Sequence, residues 1–339
     1  MASLLKPLTL TESLLDDFET VPTLKESGKG ARSARIGPGA RTGRSSAITD
    51  AHLMALRDRQ RAIALAAQKE SENRILQEVL PLWDDANRGV PNPFIRSGLF
   101  SVRKSDKREF IDITVASLSN YRIEYRGEEL QQDDLTVWLS LINLARAKNM
   151  AESIFFTAYS LIKDIGWRMH SESYARAEQS IKRLKVTGLT ISSPDGSEQY
   201  TGSLIREHAF KAIDNSGNNR WMVRFEPRIS CLFMEDTTTL LEWETRKKIG
   251  TRATVALFLH SFYSSHRDPI PLSIGKLHEL SRSLDSVSGF KRTLVNALET
   301  LVRVESLAEY RFVGDILHVT KNNRPRLAAA KILKAKRIA

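Results

Sequence analysis

Residues 273–320 read SIGKLHELSRSLDSVSGFKRTLVNALETLVRVESLAEYRFVGDILHVT, and the reading of this stretch decides the fold. Ser273 and Ser286 each precede a run with helical spacing, where a serine hydroxyl accepts from a free backbone N–H. A short helix over 273–282 and a longer one over 286–303 are therefore predicted. Val287, Phe290, Leu294, Leu298 and Leu301 fall three or four apart, as a buried stripe does. Two alternating segments follow, 310–313 and 316–320, around Gly314-Asp315, a turn pair. Upstream, 240–248 and 251–264 carry helical patterns. Helix, short helix, longer helix and β-hairpin make a winged helix-turn-helix.

The same pattern occurs earlier. Strand-like segments 109–115 and 121–125 precede a helix predicted over 131–147, with Asp133 and Asp134 where carboxylates favour the helix dipole. A second helix starts at the N-cap Thr157 and stops at Gly166. A third covers 171–186, capped by Ser171 or Ser173. Strands 188–192 and 200–206 come next, and then a hairpin turning at 214–219. The fold class is α+β: two tandem winged-helix domains, 91–230 and 231–320. They are flanked by an N-terminal region, 1–90, and a basic tail, 321–339.

The two third helices carry the functional argument. In the first, Tyr174, Ala177, Ile181 and Leu184 form the core stripe, and Glu172, Arg176, Gln179 and Arg183 lie opposite. In the second, Ser288, Arg292, Asn296, Glu299 and Arg303 lie opposite the core stripe, with Lys291 on the flank and Arg311 on the hairpin. An arginine and an amide side chain on one helix face can pair with guanine O6/N7 and adenine N6/N7 in a major groove. The same composition also suits an ordinary solvated face, since these residues are good helix formers. Two occurrences, each followed by a hairpin, favour duplex DNA.

Charge and composition narrow the class. The net charge of +11 is uneven: 321–339 hold seven lysines and arginines and no carboxylate. That tail can attract phosphates in a salt-sensitive manner, or serve only as a solubilising end. Residues 28–46 are rich in Gly, Ser and Arg and are expected to be disordered. Residues 50–79 form a loose amphipathic helix pattern that Pro81 and Pro91 close. The start of the chain is acidic where a secretion signal is basic, and apolar runs are far shorter than a membrane span. The single cysteine, Cys231, has no cluster of zinc ligands around it. A cytoplasmic protein without membrane contact, metal or other cofactor is expected.

Catalytic motifs do not assemble. GPGARTGRSS (37–46) lacks phosphate-loop spacing and follows no strand. His266-Arg267-Asp268 imitates a kinase loop, but Ser273 stands where a metal-binding asparagine is needed. No paired histidines accompany a tyrosine, as a strand-nicking initiator requires. No enzymatic activity is expected.

Several long stretches carry a family resemblance: RGVPNPFIRSGLF from Arg88, YRGEELQQDDLTVWLSL from Tyr125, FTAYSLIKDIGW from Phe156, YARAEQSIKRL from Tyr174 and FYSSHRDPIPL from Phe262. Across roughly 89–320 the chain resembles the TrfA family of plasmid replication initiators. The resemblance implies binding to direct repeats (iterons) in double-stranded origin DNA by the two winged helices of a monomer. It also implies opening of adjacent AT-rich DNA and a monomer–dimer equilibrium. The host partners it implies are DnaA, the replicative helicase and the sliding clamp. Leu99-Phe100 matches the family's clamp-engaging pair, although no glutamine precedes it here; a plain core pair is the other reading. Tyr121, Tyr125, Trp167 and Trp221 are candidate platforms for single-stranded AT-rich DNA, or else core aromatics. A winged-helix transcriptional repressor is the alternative function. A structural protein whose winged helices bind other proteins is a third.

Overall fold

The computed structural model describes residues 54, 57–65, 80, 83–104, 107–118, 121–146, 148–150, 152–193, 199–213, 218–233 and 237–322. Residues 28–46 and the tail beyond 322 lie outside them, as does most of 50–79, of which 57–65 are helical (α1). The chain divides into two units, Met1–Arg59 and Gln60–Ala339, and every element from β1 onward belongs to the second.

That unit is α+β. Its first half contains β1 (Asn87–Pro91), α2 (Asn92–Ile95), β2 (Phe110–Val115), β3 (Arg122–Glu128), α3 (Gln132–Ala145), β4 (Ile154–Thr157), α4 (Ala158–Ile165) and α5 (Ser171–Lys185). Strands β5 (Gly188–Ser192), β6 (Gln199–Gly202), β7 (Glu207–Ile213) and β8 (Asn218–Arg224) follow, then a 3-10 turn and β9 (Thr238–Glu242). The second half contains α6 (Trp243–Ile249), α7 (Thr254–Ser264), β10 (Leu272–Ser273), α8 (Ile274–Ser281), α9 (Val287–Arg303), β11 (Leu307–Val313) and β12 (Ile316–Lys321).

Local chemistry sets many of these boundaries. Thr157 Oγ1 accepts from Ser160 N–H at 3.0 Å, and Gly166, in left-handed geometry (φ 72°), ends α4. Ser273 Oγ accepts from Lys276 N–H at 3.1 Å and Ser286 Oγ from Gly289 N–H at 3.2 Å, starting α8 and α9. The cap of α5 differs from the prediction: it is His170, whose ring faces Ser173 N–H, rather than Ser171 or Ser173.

Two apolar cores organise the unit. The first gathers residues from Leu80 to Trp243, including α3, α4, α5 and the inward side chains of β3 and β5. The second gathers Val102 with α7, α8, α9 and the terminal hairpin. The sheets run β2-β3-β5-β6 and β4-β8-β7 in the first half, and β10-β12-β11 in the second.

A strap joins the cores. Leu99 and Phe100 fill the first core, and Val102 enters the second. Val102 N–H donates to Ser281 O at 3.0 Å, and Thr254 Oγ1 to Val102 O at 2.6 Å. Glu129 of the first half pairs with both Arg103 and Arg282, each at 3.1 Å. Below the strap, Arg246 of α6 is buried and donates to Thr136 Oγ1 of α3 and Ser261 Oγ of α7.

One predicted helix begins differently. Residues 238–242, partly assigned to a helix over 240–248, form β9, which pairs antiparallel with β1 from Pro91↔Thr238 to Asn87↔Glu242. The partner strand lies about 150 residues away in sequence, beyond the reach of local periodicity.

Candidate nucleic-acid interface

The second half presents a helix face built as the sequence suggests. Phe290, Leu294, Leu298 and Leu301 of α9 are wholly buried, turning Ser288, Lys291, Arg292 and Asn296 outward to exposed positions. Val287 does not join the core stripe; it is 50% exposed at the first turn, ahead of the packed segment. The hairpin stands beside this face. Lys291 Nζ lies 3.8 Å from Asp315 Oδ1 at the hairpin turn and 5.9 Å from the Phe312 ring centre. Arg311 is exposed on β11, opposite His318 of β12. Arg292 makes no ion pair among the described residues.

The first half is built differently. Arg176 and Gln179 are exposed on α5. Arg176 is nevertheless tethered: its Nε lies 3.0 Å from Asp133 Oδ2, and its guanidinium covers the Trp167 ring at 4.4 Å. Arg183, expected on the outer face, is buried. It donates to Asp134 Oδ1 through Nε at 3.1 Å and Nη2 at 2.8 Å. Its position beside Ser180 and Leu184, both with no exposed surface, places it toward α3 instead of solvent. In that position it cannot reach a base edge. The remaining cations of α5 are engaged near its C-terminal end. Lys182 pairs with Glu178 at 2.6 Å, and Lys185 donates to Arg206 O at 2.7 Å. The outer face of α5 therefore retains Arg176 and Gln179 of the three base-reading candidates.

The acidic N-terminus of α3 holds these arginines. Arg108 approaches Asp133 at 3.1 Å and Asp134 at 3.5 Å. Asp134 Oδ2 also accepts from Gln131 N–H at 2.9 Å, capping α3. Burial alone would raise the pKa of Asp133, but Arg108 and Arg176 outweigh it and hold the carboxyl below its usual value. Asp133 and Asp134 therefore do more than favour a helix dipole: they fix α5 to α3.

Leu99 and Phe100 are each 1% exposed. Phe100 packs 6.1 Å from Phe94, which in turn lies 5.2 Å from Trp138. This is the core arrangement of the two readings open for the pair, and it offers neither side chain to a partner. Tyr125, Trp167 and Trp221 are likewise buried, and Tyr121 packs against the first core. Burial takes Tyr125, Trp167 and Trp221 out of reach of base stacking, and Tyr121 is half-buried.

An α+β fold with an exposed cationic helix face beside a hairpin fits a nucleic-acid-binding class of protein. Residues 55–322 match the model of the TrfA protein family. The Escherichia coli plasmid replication initiator protein TrfA is 31% identical over 241 residues, which span 69% of this chain and 62% of that protein. The chain thus matches less than two thirds of that relative's length. An Escherichia coli RepFIB replication protein A is 23% identical over 275 residues, 74% of this chain and 84% of that one. A crystal structure of domains 2 and 3 of RctB aligns with a TM-score of 0.48 at 13% identity, over 66% of this chain and 95% of that one. The chain belongs to the TrfA family. Among the described residues no helix is long and apolar enough to cross a membrane.

Proposed function

We propose that this chain is a cytoplasmic plasmid replication initiator that binds direct repeats of origin duplex through two winged-helix modules. The observation that carries the reading is the outer face of α9. Ser288, Lys291, Arg292 and Asn296 stand exposed on a helix that follows the short helix α8 and precedes the hairpin β11–β12. A helix so placed enters a major groove while the hairpin rests on the backbone. Arg176 and Gln179 of α5 form the second, weaker reading head. Membership of the TrfA family supports a role at an origin. The chain binds there without catalytic chemistry or a cofactor.

Opening of adjacent AT-rich DNA is part of this reading, and the energetics are consistent with it. Bending or untwisting a site costs of order 1–6 kcal/mol, and several monomers on neighbouring repeats supply that from contact energy. The reading includes recruitment of host DnaA, replicative helicase and sliding clamp, and a monomer–dimer equilibrium. Because Leu99-Phe100 lies inside the strap, clamp contact through that pair requires the strap to leave its core.

Permanganate footprinting on a supercoiled origin fragment of its own replicon, without nucleotide, tests the proposal. Reactive thymines beside protected direct repeats are expected. Protection without reactive thymines would leave a DNA-binding protein of the repressor type. No protection would overturn the DNA reading.

A further inference from the structure

A cleft of about 1170 Å³ lies between the two halves. One wall is the outer face of α5, with Ser173, Arg176 and Gln179; the other is the turn from α6 to α7, residues 249–254. Nine arginines and lysines line it, against the carboxylates Asp133 and Glu172. Ion pairing accounts for only some of these cations. Arg103 is held by Glu129, Arg183 by Asp134, Arg108 and Arg176 by Asp133, and Lys247 by Glu244. Lys104, Arg168, Arg246 and Arg252 have no carboxylate partner among the described residues. Arg246 is buried beneath the cleft among neutral acceptors, and although burial lowers its pKa to about 9 it stays charged at neutral pH. Lys104, Arg168 and Arg252 are exposed.

Such a surplus of positive charge gathered in a groove concentrates a field that attracts anions. The cleft's aromatic rings are not available for bases. Trp243 is buried with Arg88 over its ring, and Trp167 is covered by Arg176. A single strand held by stacking needs open ring faces. The cleft offers cations instead, between the α5 face and the α6–α7 turn.

We infer that this cleft seats the sugar-phosphate backbone of the duplex between the two modules, and that Lys104, Arg168 and Arg252 contact its phosphates. The inference rests on the DNA reading above and adds to it, beside Arg176 and Gln179 on the α5 wall, three phosphate contacts that carry no base recognition.

The test uses the full chain and a variant carrying Lys104→Gln, Arg168→Gln and Arg252→Gln. Affinity for a short duplex holding one repeat of its own origin is measured against salt. Each lost phosphate contact flattens the log–log slope by about 0.9. A slope shallower by about 2 to 3, with unchanged base preference, is expected. In parallel, phosphate ethylation interference on the unmodified protein should mark phosphates between the two protected major-groove segments. This second readout does not depend on the variant's folding. An unchanged slope with repeat binding intact, or interference confined to the two groove segments, overturns the cleft assignment and leaves the DNA reading standing. Loss of oligo(dT) binding with an unchanged duplex slope overturns it in favour of a single-strand channel. Failure of the unmodified protein to bind the repeat removes both.

Discussion

Arg183 Nη2 and Asp134 Oδ1 meet at 2.8 Å in a buried ion pair that joins α5 to α3. Burial lowers the arginine's pKa, but Asp134 outweighs it, so the guanidinium is held above its ordinary value. Removing one member leaves the other charge buried without its main partner, which typically costs about 3–5 kcal/mol. Arg183→Ala should therefore lower unfolding stability by about that amount in urea titration. Gln179→Ala, on the exposed face of the same helix, should change stability by less than about 0.5 kcal/mol. A stable Arg183→Ala with altered base preference would return Arg183 to the groove.

Arg292 has the opposite character. It is exposed, carries no ion pair among the described residues, and neighbours Ser288 and Asn296 on the outer face of α9. Arg292→Ala should leave the thermal midpoint in place. It should weaken repeat binding by about 1–3 kcal/mol and relax preference at one base position. Competition binding with single-base variants of the repeat measures both. Uniform weakening across all variants would make Arg292 a phosphate contact.

The contrast between these arginines shows what the sequence contained. Ser273, Ser286 and Thr157 are caps whose chemistry acts within three residues, so α8, α9 and α4 were legible from the chain alone. The apolar stripe of α9 was legible for the same reason, except at Val287, where the helix begins before its packing partners do. Arg183 reads as outward in the sequence because its partner lies 49 residues upstream, and helical spacing says nothing about a buried carboxylate on another helix. β9 reads as the start of a helix in the sequence because its strand identity comes from β1. The cleft is not legible in the sequence: its exposed, unpaired cations come from the strap, the end of α4 and the α6–α7 turn, which only the folded chain brings together.

The strap yields a prediction about Leu99 and Phe100. Ser101 N–H donates to Leu130 O at 2.9 Å and Val102 N–H to Ser281 O at 3.0 Å, so the amides beside the pair are bonded into both halves. Hydrogen exchange at 101–102 should be among the slowest in the protein. Phe100→Ala should cost about 3–5 kcal/mol of stability, as large core truncations do. Adding purified sliding clamp should leave exchange at 101–102 unchanged. Acceleration by the clamp would mean that the strap opens and that the pair engages it.

Acid sensitivity should have one dominant source above pH 5. His260 is 3% exposed in α7, and burial first, then Arg246 and Lys321, lower its pKa to about 3. The unfolded chain restores an ordinary value near 6.5. Between these values the unfolded state binds the extra proton, so stability falls as pH drops from about 6.5 toward 3 and is undiminished above that window. At pH 5 the loss amounts to about 2 kcal/mol relative to pH 7. Asp133, held below the usual carboxylate range, contributes in the same direction but only at lower pH. His266 and His208 are also lowered by burial, so they add smaller contributions in the same window. His260→Leu keeps the site apolar and removes the titrating group. Its stability should change by about 2 kcal/mol less between pH 7 and pH 5 than that of the unmodified protein, measured by urea unfolding at each pH. Equal losses in the two proteins would assign the acid limb to the two partly buried histidines instead.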